Sequence, residues 1–103
     1  MALPLPPLTI GSIVCDVPVI QAALAGYSDA PMRMVARRFG APYTLGEVAL
    51  DRFVLQVKNR RRNRHHLYIA DAEHPVGGQL MGAEAADFVA AARRLVERGF
   101  DAI

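Results

Sequence analysis

Three times along this chain an apolar run reaches a glycine-bearing end and gives way to a helical or connecting segment: Ala23-Leu24-Ala25-Gly26, Gly46-Glu47-Val48 and Gln79-Leu80-Met81-Gly82. That alternation constrains the fold more than any other feature, because strands separated by helices must return over the sheet and so lie parallel, with right-handed crossovers. The first junction is the sharpest. In ALAGYSDAPMRMVARRFGA, residues 23–41, a buried-strand pattern over Val19–Leu24 stops at Gly26, and Ser28 or Asp29 can cap a helix with Pro31 in its first turn.

In that helix Met32, Val35, Ala36 and Phe39 recur at helical spacing, which predicts an apolar inner face, with Arg33 and Arg37 on the other side and Gly40 as the stop. Tyr43–Val48 reads as the second strand and Leu50–Val57 as a short helix or irregular connection. Val76–Met81 reads as the third strand. The segment Glu84–Arg98 is a long helix with acidic residues in its first turn, arginines near its end and a buried stripe of Phe88, Ala91, Ala92, Leu95 and Val96. Gly99 closes it. Phe100-Asp101-Ala102-Ile103 then reads as the opening of a fourth strand.

The expected architecture is α/β. It comprises about three βα units plus the start of a fourth strand, preceded by a short β-hairpin, as in the N-terminal portion of a (β/α)8 TIM barrel. A complete barrel needs on the order of 250 residues, and this chain has 103. Strands ordinarily run about five or six residues. The chain therefore reads as an N-terminal fragment of such a domain, with the remainder of the barrel lying beyond it.

An apolar content of 52% suits a packed core and excludes a disordered chain. The N-terminal MALPLPP has neither a basic start nor an unbroken apolar run, so neither a signal peptide nor a membrane span is expected there. One cysteine, Cys15, rules out an internal disulfide, suits a reducing cytoplasm, and reads as a small buried hydrophobe. The formal charge is +2, but Lys58, Arg60, Arg61, Arg62 and Arg64 form one local basic block, with His65 and His66 directly behind it. Such a block is either a solvated loop or a phosphate-contacting patch.

In parallel β/α folds ligands sit at the carboxyl ends of strands. Glu47 and Gln79 are the strongly polar side chains near two of those ends, and polar groups there need partners, supplied by a ligand or a neighbour. The glycines are equally compatible with plain turns. No phosphate-binding Walker loop, zinc spacing or nucleophile elbow is present, and the histidine pair lacks further ligands for a metal.

The order ALAGYSDAPMRMVARRFGA, YTLGEV and EHPVGGQLMGAEAADFVAAARRLVERGFDAI resembles the N-terminal part of the tRNA-dihydrouridine synthases, from about Leu8 to Ile103. The most specific parts are the Ala25-Gly26 turn with Asp29 and Arg33, Gly46-Glu47, and His74-Pro75 leading to Gln79-Leu80 and Gly82. The resemblance implies an FMN-binding barrel followed by a helical tRNA-binding domain, here outside the chain. It implies NADPH as reductant, reduction of a tRNA uridine to 5,6-dihydrouridine, and tRNA as partner, with the Lys58–Arg64 block as a contact. It places Ala23, Leu24 and Ala25 against FMN, Gln79 on the flavin ring, and Glu47 near flavin and substrate. The family's proton-donating cysteine belongs to a later loop, so no catalytic residue is expected within these residues. Where the family usually has Pro-Met-Ala, this chain has Ala23-Leu24-Ala25; backbone contacts to flavin survive that change, without the stiffening proline.

Two other readings follow from the same residues. One is an FMN-dependent barrel oxidoreductase for a small molecule; the other is a non-catalytic binding or assembly module. As an open half-barrel the chain is expected to be inactive alone and to associate through its apolar strand edges.

Overall fold

The computed structural model describes residues 4–58 and 65–103. A hairpin of β1 (Leu8–Ile10) and β2 (Ile13–Cys15) opens the chain, turning at Gly11, whose φ of 58° suits a residue without Cβ. Helix α1 (Ala30–Arg38) follows, then β3 (Thr44–Leu50), α2 (Asp51–Gln56), a 3₁₀ turn at Asp71–Glu73, β4 (Val76–Met81) and α3 (Ala85–Glu97).

Strands β3 and β4 pair in parallel, from Thr44 opposite Val76 to Leu50 opposite Met81. Two further segments extend this parallel arrangement by single bridges: Gln21 to Thr44 on one side, Ala102 to Gly77 on the other. Backbone hydrogen bonds fix both, from Gln21 N–H to Tyr43 O (3.0 Å), Leu45 N–H to Gln21 O (3.2 Å) and Gly78 N–H to Ala102 O (2.8 Å). The spatial order is thus Gln21, β3, β4, Ala102, all in one direction. The expected strand Val19–Leu24 is reduced to that one bridge. Val19 N–H closes a tight turn on Val17 O, and Leu24 O is drawn into the following turn by Tyr27 and Ser28, which leaves few groups for a ladder. The second strand runs two residues further than expected and passes directly into α2.

Successive β4 residues face opposite sides. A Cβ on Gly78 would meet Leu95, Phe100 and Ile103, whereas one on Gly77 would fall on the Tyr43 hydroxyl and the Leu45 side chain. Accordingly the described residues form two cores. Ala49, Val54, Val57, Leu67, Val76, Ala91, Leu95 and Phe100 fill the space between the β3–β4 pair and helices α2 and α3. Ile13, Cys15 and Tyr43, with Leu8, Ile20, Leu45 and Ala102, form the other, where the hairpin is packed. Cys15 is fully buried there, as a small hydrophobe. Burial raises the Tyr43 phenol above its ordinary pKa, and Asp101 and Cys15 act in the same direction.

The helix faces correct the sequence reading. In α1, Arg33 is 4% exposed, while Val35 and Phe39, expected inside, are 52% and 90% exposed. The inner stripe is built from arginines because their guanidinium groups reach backbone carbonyls that no apolar side chain could satisfy. Arg37 donates to Pro42 O (2.5 Å) and His74 O (2.6 Å), tying the helix end to the amino end of β4. In α3, Ala91 and Leu95 are buried, but Phe88 and Val96 lie on the open side with Val89. Asp29 caps α1 by accepting from Met32 N–H at 3.0 Å, and Gly99 closes α3 at φ 101°.

No described helix is long and apolar enough to cross a membrane. Lys58 is exposed just beyond α2, and Arg60, Arg61, Arg62 and Arg64 of the basic block lie outside the described residues.

Candidate functional site

Because the four segments run parallel, the turn 23–28 and the last residues of β3 and β4 come to one edge. The turn is held from within by Ser28. Its fully buried hydroxyl donates to Leu24 O and accepts from Leu24 N–H, each at 2.8 Å, so both backbone polar groups of Leu24 are committed. Ala23 is half-buried, whereas Leu24 and Ala25 are exposed on the turn.

Arg33 fastens this turn to the far side of the chain. Its Nη1 donates to Ser28 O (2.8 Å), Nη2 to Tyr68 O (2.8 Å) and Nε to Glu73 Oε1 (2.9 Å). Glu73 is fully buried, and its other oxygen, Oε2, has no partner among the described residues. Charge-assisted, multidentate contacts of this kind fix geometry more firmly than neutral ones.

Between Leu45 and Val48 the β3–β4 register shifts by one residue. Leu45 faces Gly77 and Val48 faces Gln79, so Gly46 and Glu47 together oppose Gly78. Such a bulge redirects side chains and is frequent beside functional sites. Beyond it, Val48, Leu50, Gln79 and Met81 are paired on one face, opposite the face that α3 covers. All four are exposed. The result is an open apolar surface with one amide, Gln79, set in it.

Glu47, half-buried at the bulge, opens instead onto a recess it shares with Ser28, Asp29, Arg33, His65 and His66. The two imidazoles lie 3.9 Å apart at 37°, and His66 meets the edge of Phe53 at 5.3 Å. At the end of β4, a Cβ on Gly82 would fall on the Asp51 carboxylate, which is buried at the start of α2. Among the described residues no group of His, Cys, Asp and Glu is arranged to hold a metal.

The structure therefore brings Ala23, Leu24, Ala25 and Gln79 to one edge with Glu47, but turns Glu47 towards the histidines. Sequence reasoning missed Ser28 as the organiser of the turn, Glu73 as the partner of Arg33, and the docking of His65 and His66 beside Glu47. Ser28 was legible only as a cap candidate. The Arg33–Glu73 pair spans forty residues, and no local pattern encodes it.

The sequence matches the family described as Dihydrouridine synthase (Dus) over residues 20–103. It is 31% identical over 96 residues to a protein of Rhodobacter capsulatus named "Probable tRNA-dihydrouridine synthase". That match covers 93% of this chain and 29% of the relative. The matched residues contain the turn, the bulge and the β4 end just described, and the chain belongs to the dihydrouridine synthase family.

Proposed function

We propose that these residues form the first part of a flavin-dependent enzyme that reduces uridine to 5,6-dihydrouridine in tRNA, with FMN as cofactor and NADPH as reductant. The observation carrying this reading is the open face of Val48, Leu50, Gln79 and Met81 beside the Ser28-fixed turn. A flat ring with apolar faces and a polar edge fits a surface that is mostly apolar with a single amide. Gln79 supplies both a donor and an acceptor, which complements the mixed edge of the isoalloxazine pyrimidine ring. Ala23, Leu24 and Ala25 would present small side chains and a preshaped backbone to the same ring, and Glu47 would stand on the substrate side. When bound, FMN would supply hydride transfer to the uracil ring; the residues here would bind and orient it.

In this reading the strand pattern is the opening of a (β/α)8 barrel, followed by a helical tRNA-binding domain, in a cytoplasmic protein. The flavin phosphate is ordinarily held by loops after strands seven and eight of such barrels. The 103-residue chain alone would then bind FMN weakly, reduce no uridine, and self-associate through its exposed apolar surface. The basic block after α2 would add RNA contacts.

The test is to replace the matching segment of the Rhodobacter relative with these residues and to measure dihydrouridine in tRNA reduced with NADPH. Dihydrouridine formation at the level of the parent supports the reading. A folded, FMN-loaded hybrid that forms none refutes it.

A further inference from the structure

We propose that the recess between Glu47 and the His65–His66 pair is a nucleobase subsite suited to guanine. Its place in RNA recognition rests on the reading above: the base would belong to a nucleotide near the reacting uridine.

The recess, of about 190 Å³, lies beside the bulge of β3. Its wall is aromatic. His65 and His66 are both exposed, stacked on each other, and His66 is braced by the Phe53 ring. Nucleobases stack on such side chains, histidine included. Phe53 is fixed in turn by packing on the main core, so the platform rests on a rigid element.

The polar groups decide which base. Arg33 is committed at Nε, Nη1 and Nη2 to Glu73, Ser28 O and Tyr68 O, and is almost fully buried, so it offers no guanidinium edge to a phosphate. Asp29 Oδ1 is engaged with Met32 N–H. Glu47 forms no ion pair among the described residues, and its carboxylate presents two acceptors. Two acceptors match the adjacent N1–H and N2–H groups of guanine in a bidentate pair. Uracil offers one N–H between two carbonyls, which a carboxylate repels. Two carboxylates at the recess also disfavour a bare phosphate.

The test uses the 103-residue chain and three probes at pH near 7.5: guanosine, uridine and ribose 5-phosphate. Imidazole resonances of His65 and His66 report occupancy of the recess. Guanosine should shift both rings and bind about tenfold tighter than uridine, a ratio typical of one bidentate base contact. Glu47→Gln, which keeps shape but loses one acceptor, should bring guanosine and uridine to within about twofold. His66→Ala should weaken both nucleosides together, while amide shifts of α1 and β4 stay in place. Equal binding of uridine, larger shifts with ribose 5-phosphate, or no shift with guanosine would each overturn the proposal. No flavin or tRNA enters the experiment, so its failure is separable from failure of the reductase reading.

Discussion

Arg33 Nη2 lies 2.7 Å from Glu73 Oε1, and neither side chain is more than 5% exposed. The pair joins the turn 23–28, through Ser28 O, to the 3₁₀ turn that precedes β4. Removing one member leaves a buried charge, which costs about 3–5 kcal/mol. Since domains of this size are held by only about 5–15 kcal/mol, Arg33→Met should remove a large share of the stability, with urea denaturation as the measure. Arg33→Lys should recover little, because one ammonium cannot reach three separate partners. A loss under about 1 kcal/mol in either variant would mean that the pair does not hold the turn.

Ser28 acts on a smaller scale. In Ser28→Ala, Leu24 N–H loses its acceptor, at a cost of roughly 1 kcal/mol. Hydrogen exchange at the Leu24 amide should accelerate several-fold, while Leu95 and Val76 amides slow or speed only with global stability. Ser28→Thr retains the hydroxyl and should keep the Leu24 amide protected. Unaltered exchange in the alanine variant would contradict the assignment.

Gly77 and Gly78 make a paired comparison within β4. A Cβ at Gly77 would collide with the Tyr43 hydroxyl and Leu45, whereas one at Gly78 would lie 3.1–3.3 Å from the ends of Leu95, Phe100 and Ile103. Overpacking typically costs about 1–3 kcal/mol. Gly77→Ala should sit at the upper end of that range and Gly78→Ala clearly below it, read from denaturation midpoints. The reverse order would contradict the packing described.

Tyr43 predicts an alkaline limit. Its phenol is raised in the fold by burial, then by Asp101 and Cys15, so the folded state holds the proton more tightly than the unfolded state. That contribution is complete below the unfolded value of about 10 and is lost as pH rises through the higher folded value. Denaturation midpoints should fall above about pH 10, and Tyr43→Phe should flatten that decline. An equal decline in both proteins would remove Tyr43 as the cause.

Strand and helix order was legible because period, caps and glycine stops are local: Asp29, Gly40 and Gly99 mark ends that the structure confirms. The inner face of α1 was not. Its arginines point inward because Glu73 and the carbonyls of Ser28, Pro42, Tyr68 and His74 await them, and those partners come from distant or irregular chain. The reduced first strand had a related cause, since Ser28 and Tyr27 take up Leu24 backbone groups that a ladder would use. At the candidate site, the edge position of Gln79 followed from its strand, but the bulge that redirects Glu47 depends on β3–β4 register, which no single segment specifies.

The most direct measurement is an FMN titration of the hybrid in which these residues replace the matching segment of the Rhodobacter relative, with and without Gln79→Ala. Gln79 is exposed on a paired strand, so its removal should leave the melting temperature of the apo protein unchanged. Losing one or two hydrogen bonds of roughly 0.5–1.5 kcal/mol each should weaken FMN about tenfold. Unchanged FMN affinity with a clearly lowered melting temperature would contradict the account and make Gln79 a structural residue.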